Sequence, residues 1–355
     1  MKIAFLANAL YAVGNPANGI AIQAKCQAKA LATLGHEVVL LNPWEWQDIL
    51  EYDVVQFFFG GLNLSGVESL SKTMSRGVLI FAPILDSNAP VGLYRMAAVL
   101  GGLHPKFITR QGEYRKQALA SDVVVCRSVN EQDRVIKGLG IAADRTAIVL
   151  NGAEVAESQS CHANVWAKMR ERWNLRNEFI LHVSRYTQER KNVARLIEAV
   201  GPLGYPLVIA GSAEAGAMLQ RLAHLAKKYP QIKLLGYLTG EELIALYSRC
   251  RVFCLPSLHE GTGLAALEAA AYGANVVITE KGGPPDYFRS YAFYVDPYST
   301  RSIRAATAHA WQIPRNEDLR QHVLTHLTWE RSAKSLLRTY EMALARKVWS
   351  DSDRH

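Results

Sequence analysis

Residues 255–273 read LPSLHEGTGLAALEAAAYG. Before them stands Val252-Phe253-Cys254-Leu255, an apolar run of strand type that ends at Pro256. Within them, Gly261-Thr262-Gly263 leads into an Ala/Leu run, so the unit predicts strand, glycine turn and helix. The N–H groups that open such a helix face the loop and carry the positive end of its dipole, which favours phosphate. Glu260 and Glu268 lie eight residues apart across the turn. Leu264 and Glu268 share a helix face, which predicts Glu268 about two turns in and Glu260 on the strand-side lip. Carboxylates only accept hydrogen bonds, so they suit vicinal hydroxyls such as those of a ribose or hexose. Two glutamates at this spacing, or a lone GxG, also occur without any ligand. The helix is apolar almost all round, and a charge buried there needs a partner, which favours the ligand reading.

The chain has 355 residues, enough for two domains, and is 49% hydrophobic with no run long enough to span a bilayer. The apolar start at 3–6 reads as a buried first strand, because no small-residue cleavage site follows. Five scattered cysteines lack zinc-ligand spacing and read as free thiols of a reducing cytoplasm, so no metal site is expected. The formal charge is +8, divided as 14 − 13 = +1 over residues 1–155 and 26 − 19 = +7 over 156–355. The excess lies where an anionic ligand is expected. Basic clusters interleaved with aromatics are missing, which argues against nucleic acid.

The first half alternates strands (2–7, 38–41, 54–59, 78–82, 123–126, 147–150) with helical stretches, the first at 20–34. This order predicts a parallel sheet covered on both faces, with ligands at the carboxyl ends of its strands. No GxGxxG is present, so a dinucleotide site is not expected. Asp86, after the strand at 78–82, reads as a helix or turn cap or as a ligand contact. His104 reads as a surface residue or a ligand-side group. Trp44 and Trp46 read as loop packing or as a ligand or membrane contact. Lys106, Arg110, Arg115 and Lys116 read as a solvated helix face, with lipid phosphates as the alternative. Asn151-Gly152 closes the half, and a linker is expected over about 152–177.

In the second half, a strand at 179–183 leads to SRYTQERKN and a helix at 193–200. Arg185 and Lys191 flank this junction six residues apart, and both can converge on one anion, diphosphate being the natural guest. Strands at 207–210, 232–235 and 276–279 and a helix at 217–229 follow. Thr239 and Glu242 have the spacing of a capping box. Thr328-Trp329-Glu330 opens a last amphipathic helix.

The E-x7-E stretch, the Arg–Lys pair and the closing Trp-Glu together resemble the retaining, GT-B-fold members of glycosyltransferase family 4. The resemblance covers nearly the whole second half and, more loosely, the layout of the first. It implies an α/β fold of two Rossmann-like domains facing a cleft. Residues 1–155 would bind the acceptor, 156–330 the nucleotide sugar, and a C-terminal helix at 331–349 would pack back on the first domain. It implies Arg185 and Lys191 on the donor diphosphate, with Glu260 on the transferred sugar. Glu268 falls on the ribose, Gly261, Thr262, Gly263 and Leu264 on the phosphate or sugar, and Tyr237 and Leu238 on the base. Gly19 is carried over to the donor phosphate, although Asn18 replaces the second glycine of that loop. Asp86 follows Leu85 where many members have a His-Asp pair, and in that frame Asp86 would meet the acceptor or the donor sugar, while His104, Trp44 and Trp46 would lie on the acceptor side. The implied activity is sugar transfer, with retention and without metal or cofactor. The donor would be a UDP- or GDP-sugar and the acceptor a glycan or lipid-linked saccharide. The setting would be cytoplasmic, with possible contact at the inner membrane face. The alternatives are a related sugar-nucleotide epimerase or hydrolase, or a non-catalytic nucleotide-sugar binder.

Overall fold

The computed structural model describes residues 1–7, 19–41, 51–58, 74, 77–103, 108–155 and 159–352. The chain divides into two compact units, Met1–Gly152 with Trp329–His355, and Ala153–Thr328. The first and last residues of unit 2 meet, where Ala153 N donates to Leu327 O at 2.8 Å and Ala153 bridges Thr328.

Unit 1 carries β1 (Lys2–Ala7), β2 (Glu37–Leu41), β3 (Val54–Phe58), β4 (Val78–Ala82), β5 (Val123–Cys126) and β6 (Thr146–Ile148) in the parallel order β2-β1-β3-β4-β5-β6. β3 and β4 are buried along their whole length, as expected of strands covered on both faces. One face holds α1 (Gly19–Thr33). On the other, α2 (Val91–Leu103) crosses α3 (Arg110–Ala120) at a pair of glycines, where a Cβ on Gly112 would sit 2.8 Å from the Gly101 Cα. α4 (Val129–Asp133) follows β5.

Unit 2 carries β7 (Ile180–Val183), β8 (Leu207–Ala210), β9 (Ile232–Gly236), β10 (Val252–Leu255), β11 (Asn275–Thr279) and β12 (Phe293–Val295) in the parallel order β12-β11-β10-β7-β8-β9. The direction of winding reverses between β7 and β10, the point at which doubly wound sheets bind ligands. Its helices are α5 (Gln159–Trp173), α6 (Val193–Val200), α7 (Ala217–Lys227), α8 (Gly240–Arg249), α9 (Leu264–Ala271), α10 (Pro284–Phe288), α11 (Thr300–Gln312) and α12 (Glu317–His326).

The segment expected to be a linker is largely α5. Trp166 and Met169 are three apart on one helix face, both are buried, and Trp166 stacks on Phe179 at 5.8 Å. That burial makes the segment part of the unit 2 core rather than a tether. The final helix, α13 (Trp329–Ser352), returns to unit 1 and packs against α1. Its Ala333, Leu336, Tyr340 and Ala343 join the core of Ile3, Phe5 and Val54. Gln27 Nε2 donates to Ser332 Oγ at 3.2 Å, and the Tyr340 hydroxyl donates to the buried Gln56 Oε1 at 2.5 Å.

Candidate functional site

The loops after β7 and β10 are tied together at the reversal point. Asn192, in the left-handed region with φ 60°, ends the turn Glu189–Lys191 and starts α6. Its Nδ2 donates to Pro256 O at 2.9 Å and to Pro297 O at 2.7 Å. Leu258 N donates to Arg190 O at 2.8 Å. These bonds bring Lys191 to Glu260, with Nζ 2.5 Å from Oε1 and side chains only 12% and 7% exposed. Burial alone would raise the Glu260 carboxyl. Lys191, with Arg190, instead holds it below the ordinary carboxylate range. The backbone of Glu260 is fixed as well. Its N–H donates to Lys281 O at 3.0 Å, and its carbonyl accepts from Gly283 N at 2.9 Å. Gly282, φ +107°, lies so close that a Cβ there would sit 2.0 Å from the Glu260 carbonyl oxygen, so only glycine fits.

Gly263, also left-handed, opens α9, and no side chain caps that helix. Its N-terminal amides thus have no built-in side-chain acceptor, the condition under which a helix mouth takes an anion. The Thr262 hydroxyl hydrogen-bonds the Tyr287 hydroxyl at 3.3 Å, joining the turn to α10. Because α9 begins at Leu264, Glu268 sits about one turn into the helix, not two. Glu268 is half-buried, and desolvation pushes its carboxyl up from 4.5 to about 6, opposed by a hydrogen bond from Tyr247. Tyr247 on α8 is the partner that this charge in an apolar helix requires.

Arg185 does not join the Lys191–Glu260 pair. Its Nη2 contacts Glu214 Oε1 at 2.6 Å on the surface. Tyr237 is 60% exposed after β9, whereas Leu238 is buried as a whole residue. The Thr239–Glu242 capping box is present at the start of α8.

Sequence reading passed over His182. It lies fully buried in β7 and bonds Cys254 O of β10 at 2.8 Å through Nδ1. A carbonyl only accepts, so Nδ1 carries the proton, and Nε2 accepts from Ser184 Oγ at 2.7 Å. Desolvation drives its pKa down to about 4 against that backbone bond, which keeps the ring neutral. His182 therefore joins the two strands from which the Lys191 and Glu260 loops emerge. A histidine inside the apolar run FILHV was the available signal.

In unit 1, Asp86 pairs with Arg127 Nη2 at 3.1 Å. Arg127, just past β5, forks onto the buried Glu131, with Nη2–Oε1 2.7 Å and Nε–Oε2 3.1 Å. Glu131 also accepts the Leu85 and Arg127 amides, each at 2.6 Å. Ile84, next to this network, has φ 55°, a conformation that costs a β-branched residue energy and marks constrained loops. Arg127 and Glu131 went unread, although an arginine after an apolar strand with a glutamate four residues on was visible. Gly19 is the exposed first residue of α1. Asn18, Trp44, Trp46, His104 and Lys106 lie outside the described residues. Among the described residues, no His/Cys/Asp/Glu group could hold a metal ion, and no helix is long and apolar enough to cross a membrane.

Residues 167–322 match the family described as glycosyl transferases group 1. The serotype-specific mannosyltransferase WbdA of Escherichia coli is 31% identical over 196 residues, 52% of this chain and 24% of that protein, so the chain spans about a quarter of its relative's length. Sucrose-phosphate synthase from Thermosynechococcus elongatus superposes with a TM-score of 0.72 at 17% identity, covering 98% of this chain and 100% of that one. The Anabaena protein HepE, solved in complex with UDP, superposes with a TM-score of 0.70 at 17% identity, covering 96% and 100%. These superpositions identify the two parallel sheets and their returning helix as a GT-B fold. The match to the group 1 glycosyl transferases thus lies within unit 2, over less than half of the chain.

Proposed function

We propose that the chain transfers a sugar from a nucleotide-diphosphate sugar to a saccharide or lipid-linked acceptor, with unit 2 binding the donor and unit 1 the acceptor. The observation that carries this reading is the buried Lys191–Glu260 pair at the β7/β10 reversal point, beside the uncapped mouth of α9. In this reading Lys191 turns from Glu260 towards the donor diphosphate, joined by Arg185 and the Gly261, Thr262, Gly263 and Leu264 amides. Glu260 then holds hydroxyls of the transferred sugar, Glu268 the ribose, and the backbone of Tyr237 and Leu238 the base. Gly19 adds an amide near the donor phosphate, and Asp86 meets the acceptor.

The bond between the anomeric carbon and the phosphate oxygen breaks while the acceptor oxygen bonds to that carbon on the same face. The acceptor proton passes to the departing phosphate, so configuration is retained. Cations and amides around the diphosphate stabilise its developing charge in a desolvated site. WbdA is named a mannosyltransferase and HepE was solved with UDP, so mannose is the first sugar to test and UDP and GDP are the first nucleotides. A cytoplasmic setting accords with the free thiols at Cys26, Cys126, Cys250 and Cys254.

The test is a thermal-shift panel with UDP, GDP, ADP, CMP and their sugar conjugates on the native chain and on Glu268→Ala. A ligand at ~100 times its Kd adds roughly 2.7 kcal/mol, several degrees in Tm for a protein of this size. The expected result is a shift with one nucleotide series that the variant loses. No shift with any nucleotide overturns the reading.

A further inference from the structure

Ser184 follows β7 directly and precedes Arg185, at the point where the winding of the unit 2 sheet reverses. Side chains two apart share a face of a strand, which sets Ser184 beside His182. Its Oγ lies 2.7 Å from His182 Nε2. Its backbone is pinned by the end of β8. Ser184 N donates to Ala210 O at 3.1 Å, and a Cβ on Gly211 would sit 2.0 Å from the Ser184 carbonyl oxygen. His182 is fully buried, whereas Ser184 is partly exposed. The serine hydroxyl is thus held in one place at the carboxyl end of the sheet, where doubly wound folds take their ligands.

The direction of its hydrogen bond follows from the histidine. Cys254 O takes the Nδ1 proton, so Nε2 presents only a lone pair. The Ser184 proton must then point inward, to Nε2. A hydroxyl has one proton and two lone pairs, so the side left for a ligand is acceptor-only. Among the described residues no N–H or O–H donates to this oxygen. The arrangement is not that of an activated serine. The ring faces a neutral carbonyl instead of a carboxylate, and burial brings its pKa down to about 4, so an imidazolium has no support there. The charges of Lys191 and Glu260 both reach the His182 ring, so the serine belongs to the same site as that pair. Phosphate oxygens are acceptors themselves and find no partner in Ser184, whereas a ligand hydroxyl does.

We infer that Ser184 is a specificity-determining residue of unit 2, whose Oγ, with its proton turned inward to His182, accepts a hydrogen bond from a hydroxyl of the nucleotide sugar. The inference rests on the reading of unit 2 as the donor site and adds to it a neutral acceptor that selects hydroxyl over phosphate.

The test is isothermal titration of the native chain and Ser184→Ala with UDP, GDP, ADP, CMP, their sugar conjugates and inorganic diphosphate. Ser184→Ala is expected to bind the conjugate that the native chain takes about fivefold more weakly. An equal loss with the free nucleotide assigns the hydroxyl to the ribose, and a loss confined to the conjugate assigns it to the transferred sugar. Diphosphate carries no hydroxyl to donate to Ser184, so its affinity should hold or rise in the variant. If Ser184→Ala does not fold, Ser184→Cys takes its place with the same expected losses, because a thiol still donates to Nε2 but accepts poorly. Unchanged affinity for the conjugate overturns the inference. So does a parallel loss for diphosphate, which would make Ser184 a support of the loop alone. A native chain that binds diphosphate but no nucleotide or conjugate overturns it as well. A native chain that binds none of these ligands removes the donor reading, and this inference with it.

Discussion

The strand-end loops of the two units each hold a carboxylate against a cation, but by different means. In unit 2 the Glu260 side chain is met by Lys191, a point charge on a flexible stem, at 2.5 Å. In unit 1 Asp86 is met by Arg127, whose guanidinium already forks onto Glu131, which in turn accepts two backbone amides. A lysine can change partner with a few rotations, whereas an arginine committed to several acceptors stays where it is. The unit 2 pair can therefore be rearranged by a competing charge more readily than the unit 1 cluster. The unit 1 cluster is a fixed bracket that presents Asp86, with 27% of its side chain exposed.

The sharpest way to break this contrast is to remove one ion from each cluster. Lys191→Met strands a buried carboxylate and is expected to cost about 3–5 kcal/mol, read as a fall in Cm by urea denaturation, with transfer lost. Adding Glu260→Gln removes the stranded charge and restores much of that stability without restoring transfer. If the double variant regained turnover, Lys191 and Glu260 would be a structural pair only.

Glu131→Ala should come close behind, at about 3 kcal/mol or more, because it removes the buried carboxylate onto which Arg127 forks and leaves two amides unsatisfied. Nucleotide affinity should be unchanged in any molecules that remain folded, since Glu131 lies in the other unit.

A third test concerns pH. The Glu268 carboxyl titrates near pH 6 in the folded chain, above its ordinary 4.5. The raised value means that the protonated form is favoured on folding, so the stability it contributes is present below 4.5 and is lost as pH rises through about 6. Donor binding runs the other way. Protonation removes an acceptor for ribose, so nucleotide affinity should fall as pH drops below about 6. Isothermal titration between pH 5 and pH 8 checks this, and Glu268→Gln should flatten the profile.

The smallest effects belong to the exposed members. Asp86→Asn should cost at most about 1 kcal/mol, as expected of a partly exposed pair. It should lower transfer while leaving nucleotide affinity intact, a split visible in acceptor KM against donor Kd. Arg185→Ala should change stability by no more than ~0.5 kcal/mol. A donor affinity equal to that of the native chain would remove Arg185 from the donor site.

Local chemistry made most of the elements readable in advance. Val252–Leu255, Leu264–Ala271, Val193–Val200 and the capped start of α8 follow from apolar periodicity, glycine turns and a Thr–Glu cap, all of which act within a few residues. The α5 segment was misjudged because its Trp166/Met169 stripe means little until Phe179 is known to lie against it. Glu260, Glu268 and Lys191 stood out because charged residues next to apolar strands and helices are costly and call for partners. Their partners were not visible, because a hydrogen bond has no signature in either residue alone.

The sequence by itself determined two alternating α/β halves, their turns and the carboxylates and cations worth watching, since those follow from short-range propensity and patterning. Only the tertiary structure decided that Lys191 meets Glu260 across 69 positions while Arg185 turns to Glu214. It alone decided that His182 joins strands and Asn192 joins loops distant in sequence, and that one face of α2 stays uncovered. The physical reason is shared. Pairing and burial depend on which segments the sheet order brings together, and that order emerges from the packing of the whole chain rather than from any stretch of it.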